Sequence, residues 1–142
     1  MERLNEKSSV FFATATEAFS FLVAELGFER PSYAEAFGGQ LRTVEFRSAT
    51  GWVRVTHERF VELDVEIGVG LPERANRGIR LTSLVRAHDP AYRTGAEHAS
   101  TPEALRICVP RLAAALRRFG AAALRGDLDD VRPRQPRSKA ER

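Results

Sequence analysis

Apolar residues near the start of the chain recur at intervals of three and four positions. The stripe over residues 6–26 consists of Phe11, Ala15, Ala18, Leu22 and Leu26. Such spacing is typical of an amphipathic helix. Gly27 can adopt the left-handed conformation that ends a helix, and Pro31 prevents any continuation. The pattern therefore predicts a first helix over residues 6–26.

The hydrophobic period changes to two between residues 33 and 69. Strands are predicted at residues 33–37, 41–47, 52–57 and 60–69. The last strand alternates most strictly. Its apolar residues are Val61, Leu63, Val65, Ile67 and Val69, and the acidic residues among them are Glu62, Asp64 and Glu66. One face of this strand is therefore buried and the other faces water. The connections are short, as at Gly38-Gly39, and short connections favour antiparallel neighbours.

Two helices are predicted after the strands. A polar loop spans residues 70–78. The alternate apolar residues Ile79 and Leu81 after it fit a short edge strand. A short helix then runs from Thr82 to His88. The sequence Thr101-Pro102-Glu103 combines a capping hydroxyl, a proline at the first helical position and an acid in the first turn.

The second long helix begins at that signal. Its apolar stripe consists of Leu105, Val109, Leu112, Leu116 and Phe119. Pro110 lies inside it and predicts a kink near Arg106. Both long helices have one apolar stripe and the sheet has one apolar face, so the economical packing is a two-layer arrangement. The predicted fold is α+β: a four-stranded antiparallel β-meander with N- and C-terminal helices packed on one face.

The charge of the chain is unevenly distributed. The 142 residues carry a formal net charge of +3 and have a pI of about 9.6. Residues 131–142 hold five basic residues and one acidic residue, whereas the first 130 hold 17 basic and 18 acidic ones. We therefore predict a single domain over residues 1–130, followed by a disordered basic tail over 131–142. Nucleic acid is an unlikely partner, because the tail lacks aromatic residues for base stacking.

Composition and motifs narrow the function further. The start of the chain lacks the pattern of a secretory signal, and no uninterrupted apolar run approaches the roughly 20 residues of a membrane span. A lone cysteine, Cys108, is typical of a reducing compartment and of a small core residue. His57, His88 and His98 match no metal-binding spacing, and the glycines form no phosphate loop. We expect a cytoplasmic protein with no cofactor, no metal and no membrane partner.

The polar face of the predicted sheet is the candidate binding surface. Six residues were assigned to it: Arg42, Trp52, Arg54, Glu62, Asp64 and Glu66. Tryptophan and arginine are enriched among the residues that dominate binding energy at protein interfaces. Any sheet with one solvated face shows the same alternation of charged and apolar residues. Its cross-strand pairs of arginine and carboxylate each add about 0.2–1 kcal/mol to stability.

Four segments follow one another in an order that resembles a group of small uncharacterised bacterial α+β proteins: FLVAELGF, GWVRVTHERFVELDVEIGVG, LVRAHDP and RLAAALRRFGAAALRGD. The resemblance covers residues 8–128, and it includes a C-terminal helix that ends in Gly126-Asp127. The architecture is also similar to that of toxin-immunity proteins. That similarity implies binding of a toxin through an exposed sheet or loop, and neither resemblance brings catalytic residues.

These observations favour a non-enzymatic protein-binding module that recognises a protein partner through the exposed sheet face, and the second resemblance implies that it is immunity-like. The alternative is an enzyme or a small-molecule binder with a pocket lined by residues 70–100, because long irregular loops are often functional. A third hypothesis is a homodimer formed by edge or face pairing of the sheet.

Overall fold

The computed structural model describes residues 6–70 and 78–126. Its five strands are β1 (Ser32–Ala36), β2 (Leu41–Arg47), β3 (Gly51–Glu58), β4 (Glu62–Val69) and β5 (Ile79–Arg80). Its helices are α1 (Glu6–Ala18), α2 (Phe21–Leu26), α3 (Leu81–His88), α4 (Pro102–Phe119) and α5 (Ala121–Leu124). The predicted tail over 131–142 and residues 71–77 of the predicted loop lie outside the described residues.

All five strands join one antiparallel sheet in the order β1-β2-β3-β4-β5. The prediction of an α+β fold with an antiparallel meander is confirmed. The strand number differs by one, because the two residues of β5 pair with β4 through Glu66 and Ile67. This is the short edge strand expected at Ile79 and Leu81; the structure places it at Ile79–Arg80, and Leu81 begins α3.

The hydrophobic core lies between one face of the sheet and the helices. The strands contribute Val44, Phe46, Val53, Val55, Leu63, Val65 and Ile67. The helices contribute Phe11, Ala15, Leu22, Leu105, Val109, Leu112 and Leu116. These residues follow the predicted periods of two and 3.6. The other face of the sheet, which we call the open face, carries the polar residues of β2, β3 and β4.

The first predicted helix is broken in two at Phe19 and Ser20. Hydrogen bonds of the i to i−3 type tighten the chain there: Ser20 N donates to Glu17 O and Leu22 N to Phe19 O. The break buries Phe19 together with Phe21 and Leu22, whereas Leu26 from the predicted stripe is 44% exposed. A straight helix would place Phe19 and Phe21 on different faces, since successive residues are about 100° apart.

Two helix ends are formed by the residues that the sequence indicates. Gly27 is left-handed, with φ 77°, and Phe28 folds back so that its amide donates to Leu22 O. Thr101 Oγ1 accepts a hydrogen bond from Ala104 N at 3.1 Å. Helix α4 then runs to Phe119 with the exposed Pro110 inside it.

One described segment has the length and composition of a membrane-crossing helix. A stretch of 18 residues within this segment reaches a mean hydropathy of 1.4, although charged residues interrupt residues 6–26. The segment is therefore not an uninterrupted apolar run. In the folded chain the segment is divided between α1 and α2, and its phenylalanines pack in the core.

Candidate functional site

The charged part of the open face is built from residues of four neighbouring strands, β2 to β5. The register pairs Glu45 with Arg54, and Arg54 with Glu66. It pairs Thr56 with Asp64, and Glu66 with Arg80. Because paired residues of antiparallel strands project to the same side, these side chains lie together on one surface. Three of the predicted site residues, Arg54, Asp64 and Glu66, are brought together here.

Arginines on the open face are paired with carboxylates on adjacent strands. Arg54 Nε and Nη2 donate to Glu45 Oε1 at 3.1 and 2.9 Å. Arg54 Nη1 donates to Glu66 Oε1 at 3.4 Å. Arg80 Nε donates to Asp64 Oδ2 at 2.9 Å. These pairs connect β2 to β5 across the surface, so the positive charges of Arg54 and Arg80 are largely compensated.

Trp52 lies on the predicted face but is not available as a contact residue. Its side chain is 1% exposed. The guanidinium of Arg54 lies 4.5 Å above the indole ring, and Trp52 is directly opposite Gly68 in the register. A Cβ at Gly68 would overlap the ring, and one at Gly78 would lie 2.8 Å from it. The two glycines make room for the ring, so the expectation of an exposed tryptophan anchor is wrong.

Arg42 was assigned to the wrong face. It is in phase with Val44 and Phe46, which point into the core, and it is 1% exposed. Its Nε donates to Ser8 Oγ at 2.7 Å, and its Nη1 lies 3.1 Å from His57 Nδ1. The guanidinium also lies 5.2 Å from the centre of the Phe60 ring. A buried arginine is tolerated here because hydrogen-bond partners surround it.

His57 is buried, and both nitrogens of its ring have hydrogen-bond partners. Nδ1 must accept from the Arg42 guanidinium, which has only donors, so Nε2 carries the proton and donates to Ala99 O at 2.7 Å. Burial lowers the pKa of His57, and the charges of Arg42 and Lys7 act in the same direction against the opposing effect of the Ala99 carbonyl. This cluster joins α1, β2, β3 and the segment before α4.

The neutral His57 makes folding stability depend on pH. In the unfolded chain the imidazole gains its proton as the pH falls through about 6.5, whereas in the folded protein it does so only at lower pH. The free energy of unfolding should therefore fall below about pH 6.5, by up to roughly 1.4 kcal/mol per pH unit. Urea denaturation at several pH values measures this slope.

His57→Gln should reduce that slope, and His98→Gln should keep it because His98 is exposed. An equal slope in wild type and His57→Gln, compared over the same pH range, would contradict the assignment of this titration to His57.

Two adjoining depressions shape the open face. The first has a volume of about 640 Å³ and is lined by Leu41, Thr43, Arg54, Thr56, Glu58, Asp64, Glu66 and Arg80. The second, of about 350 Å³, is lined by Glu58, Glu62, Leu63, Asp64, Arg80, Thr82, Glu97 and His98. They share Glu58, Asp64 and Arg80, so they form one continuous surface. We call this surface the acidic cleft.

Carboxylates outnumber cations in the acidic cleft. Five acidic residues line it: Glu58, Glu62, Asp64, Glu66 and Glu97. The cations are Arg54 and Arg80, which Glu45, Glu66 and Asp64 already engage. Glu58 and Glu62 face each other across β3 and β4, are exposed, and have no ion-pair partner within the described residues.

Asp64 is partly buried among these charges. Partial burial raises the pKa of Asp64, and Glu58 adds to that effect, while Arg80 and the Val65 amide act against it. The cleft therefore contains negative charge that is only partly compensated. A cation placed there would be attracted by Glu58 and Glu62 and would also favour the ionised form of Asp64.

Sequence reasoning missed four residues of this site. The predicted surface leaves out four charged residues: Glu45, Glu58, Arg80 and Glu97. Alternation places Glu58 on the same face of β3 as Arg54, and Glu45 lies opposite Arg54 on β2. Glu97 reaches the cleft because the segment 97–99 runs beside the start of β4: Leu63 N donates to Glu97 O at 2.8 Å, and Ala99 N to Val61 O at 2.7 Å. No local pattern in the sequence indicates this pairing.

Residues 78–100 contribute to two of the described pockets. One is the second depression of the acidic cleft, of about 350 Å³, to which Arg80, Thr82, Glu97 and His98 contribute. The other, of about 80 Å³, lies beside α3 and is lined by Thr82, Val85, Arg86, Tyr92, Arg93, Thr94 and Glu97. Small-molecule sites are commonly 300–1,000 Å³. Within residues 6–70 and 78–126, no three His, Cys, Asp or Glu side chains are grouped so that they could hold a metal ion.

Comparisons with known proteins were made for the whole chain. No family model, no curated protein and no solved structure matches it. The resemblances described above therefore stay predictions, and the proposals below rest on the residues of this chain.

Proposed function

We propose that this protein is a non-enzymatic binding module that recognises a basic surface of a partner protein through the acidic cleft. The observation that carries the proposal is the excess of carboxylates over cations along two continuous depressions on the open face. Complementary charge across an interface steers association and selects partners. The similarity in architecture to toxin-immunity proteins makes a toxin the first class of partner to test.

The two kinds of charged residue in the cleft have different roles in this proposal. Arg54 is held between Glu45 and Glu66 over the Trp52 ring, so it fixes the shape of the surface. Glu58 and Glu62 are exposed beside the turn that joins β3 to β4, where the partner's lysine or arginine side chains can reach them. The expected contact is therefore a rigid, mostly polar floor with acidic residues at one end.

Charge reversal at that end tests the proposal. The chain is immobilised and used to capture proteins from an extract of its source organism, and bound proteins are quantified by mass spectrometry. Glu58→Arg with Glu62→Arg should reduce capture of the specific partner at least tenfold, equivalent to about 1.4 kcal/mol. Raising the ionic strength should weaken wild-type capture as well, because salt screens exposed charges.

The matched control reverses two acids in the helical layer, Glu17→Arg with Glu103→Arg, which changes the net charge equally. Both residues are exposed on α1 and α4. This control should retain capture. Equal loss in both double variants would show that net charge matters rather than the cleft, and retention in both would refute the site.

A further inference from the structure

The outer edge of β1 is an unpaired strand edge. β1 pairs with β2 on one side, and no other described strand pairs with it. Ser32, Tyr33, Ala34 and Glu35 are exposed and Ala36 is half-buried. Such an edge presents backbone donors and acceptors that can pair with another strand. Natural proteins often protect edges with charge or proline, but here Glu35 is the one charged residue and Pro31 precedes the strand.

Two exposed aromatic residues accompany this edge. Tyr33 is 53% exposed, and its ring lies 3.6 Å from that of Phe12, measured between centroids. Phe37, in the turn after β1, is 77% exposed and has a φ of 55°. A bulky residue rarely adopts left-handed backbone, and such strain concentrates at functional positions. The turn thus directs an apolar ring into solvent beside an unpaired edge.

We propose that β1 pairs antiparallel with β1 of a second copy of this chain, so that two five-stranded sheets become one continuous sheet. This surface is distinct from the acidic cleft, and the proposal goes beyond the binding function given above. A two-fold axis perpendicular to the sheet would relate the two strands. Because opposed residues of antiparallel strands project to the same face, one residue of β1 must lie at the axis, opposite its own copy. The candidates are Tyr33, Ala34 and Glu35.

Charge and overlap select Ala34. An axis at Glu35 places the two Glu35 carboxylates opposite each other, which destabilises a strand pair. An axis at Tyr33 overlaps only three residues of β1. An axis at Ala34 pairs all five residues, with Tyr33 opposite Glu35 of the second copy.

The opposite edge of the sheet offers no equivalent template. β5 has two residues, and Arg80 at its end is paired with Asp64. On the open face, the pairing of β1 strands brings together only Ser32, Ala34 and Ala36. These small side chains allow two strands to approach without a clash, so the dimer leaves the acidic cleft of each copy accessible.

Engineered cysteines test the register directly. At the axis, the two Ala34 Cα atoms would be about 4.5–5.5 Å apart, within the range for a disulfide. Ala34→Cys should form a covalent dimer rapidly on mild oxidation. Ala36→Cys is the matched control, because the two copies of residue 36 would be separated by roughly 13 Å along the strand. The native Cys108 is buried in both variants.

Charge at the axis supplies a second test that does not depend on oxidation. Ala34→Lys and Ala34→Glu each place like charges opposite each other, so each alone should be monomeric by light scattering. Mixing them should restore a heterodimer, detected by native mass spectrometry, and Ala24→Lys on exposed α2 should behave as wild type.

Several results would overturn the proposal. They are a wild-type mass of 15.8 kDa at every concentration measured, equal cross-linking of Ala34→Cys and Ala36→Cys, or dimers in both charged variants alone. A wild-type monomer whose β1 edge pairs with an extended segment of another protein would overturn it too. None of these results bears on the acidic cleft, so failure of the dimer proposal is distinguishable from failure of the proposed function.

Discussion

Trp52→Ala is expected to lower the free energy of unfolding by about 3–5 kcal/mol, the usual cost of removing a large buried aromatic side chain. The indole is 1% exposed, although it lies on the face of the sheet opposite the core. Its removal would leave a cavity between Arg54, Gly68 and Gly78, and Arg54 would lose the ring on which its guanidinium rests. Urea denaturation followed by circular dichroism measures the loss.

Trp52→Phe is the control for this prediction. It keeps a ring on Gly68 and should cost much less than alanine. Trp52 Nε1 has no hydrogen-bond acceptor among the described residues, so the substitution also removes a buried unsatisfied donor. A loss below 1 kcal/mol for Trp52→Ala would show that the ring is exposed in solution, and it would restore tryptophan as a contact residue.

Arg42→Met should also lower the free energy of unfolding, by about 3–5 kcal/mol, because breaking a buried charged network leaves its other members unsatisfied. Methionine has a similar length but no donors. Ser8 Oγ and His57 Nδ1 would both lose the hydrogen bonds that Arg42 donates. The carboxylate of Glu35, 3.7 Å from Arg42 Nε, would lose its cation.

Arg42→Lys separates geometry from charge. A lysine keeps the charge but cannot donate to Ser8 and His57 in the fork arrangement of a guanidinium. It should therefore recover only part of the lost stability. Full recovery by lysine in denaturant titrations would contradict the hydrogen-bonded role of Arg42, and a cost below 1 kcal/mol for Arg42→Met would contradict its burial.

The strand positions were predictable because alternation is a local property. β4 shows this best: Leu63, Val65 and Ile67 face the core, and Asp64 and Glu66 face the open side, as the sequence indicates. The caps were predictable for the same reason, since Thr101 and Gly27 act on residues within one turn.

The burial of Arg42 and Trp52 depends on contacts that are distant in sequence. Alternation places Arg42 in phase with Val44 and Phe46, and that signal was available, but its acceptor Ser8 is 34 residues away. Trp52 is buried because Gly68 lies opposite it, and this pairing becomes evident only once the register is known. Alternation assigns a residue to a face, whereas the side chains opposite decide whether it is exposed.

The acidic cleft was predictable only in part. Asp64, Glu66 and Arg54 follow from alternation, but Glu97 and His98 arrive through a bridge between Glu62 and His98. Segment 97–98 lies more than 30 residues beyond the start of β4, which it meets. Local periodicity contains no information on such a contact, so the cleft's second depression could not be derived from it.

The location of the bound partner tests the central claim most directly. Amide chemical shifts of the ¹⁵N-labelled chain should be recorded while the captured partner is added. The largest changes should fall on Glu58, Glu62, Asp64, Glu66 and Glu97, with little change along α1 and α4. Changes confined to β1 and Phe37, or to the helical layer, with the cleft unaffected, would contradict the claim that this protein binds its partner through the acidic cleft.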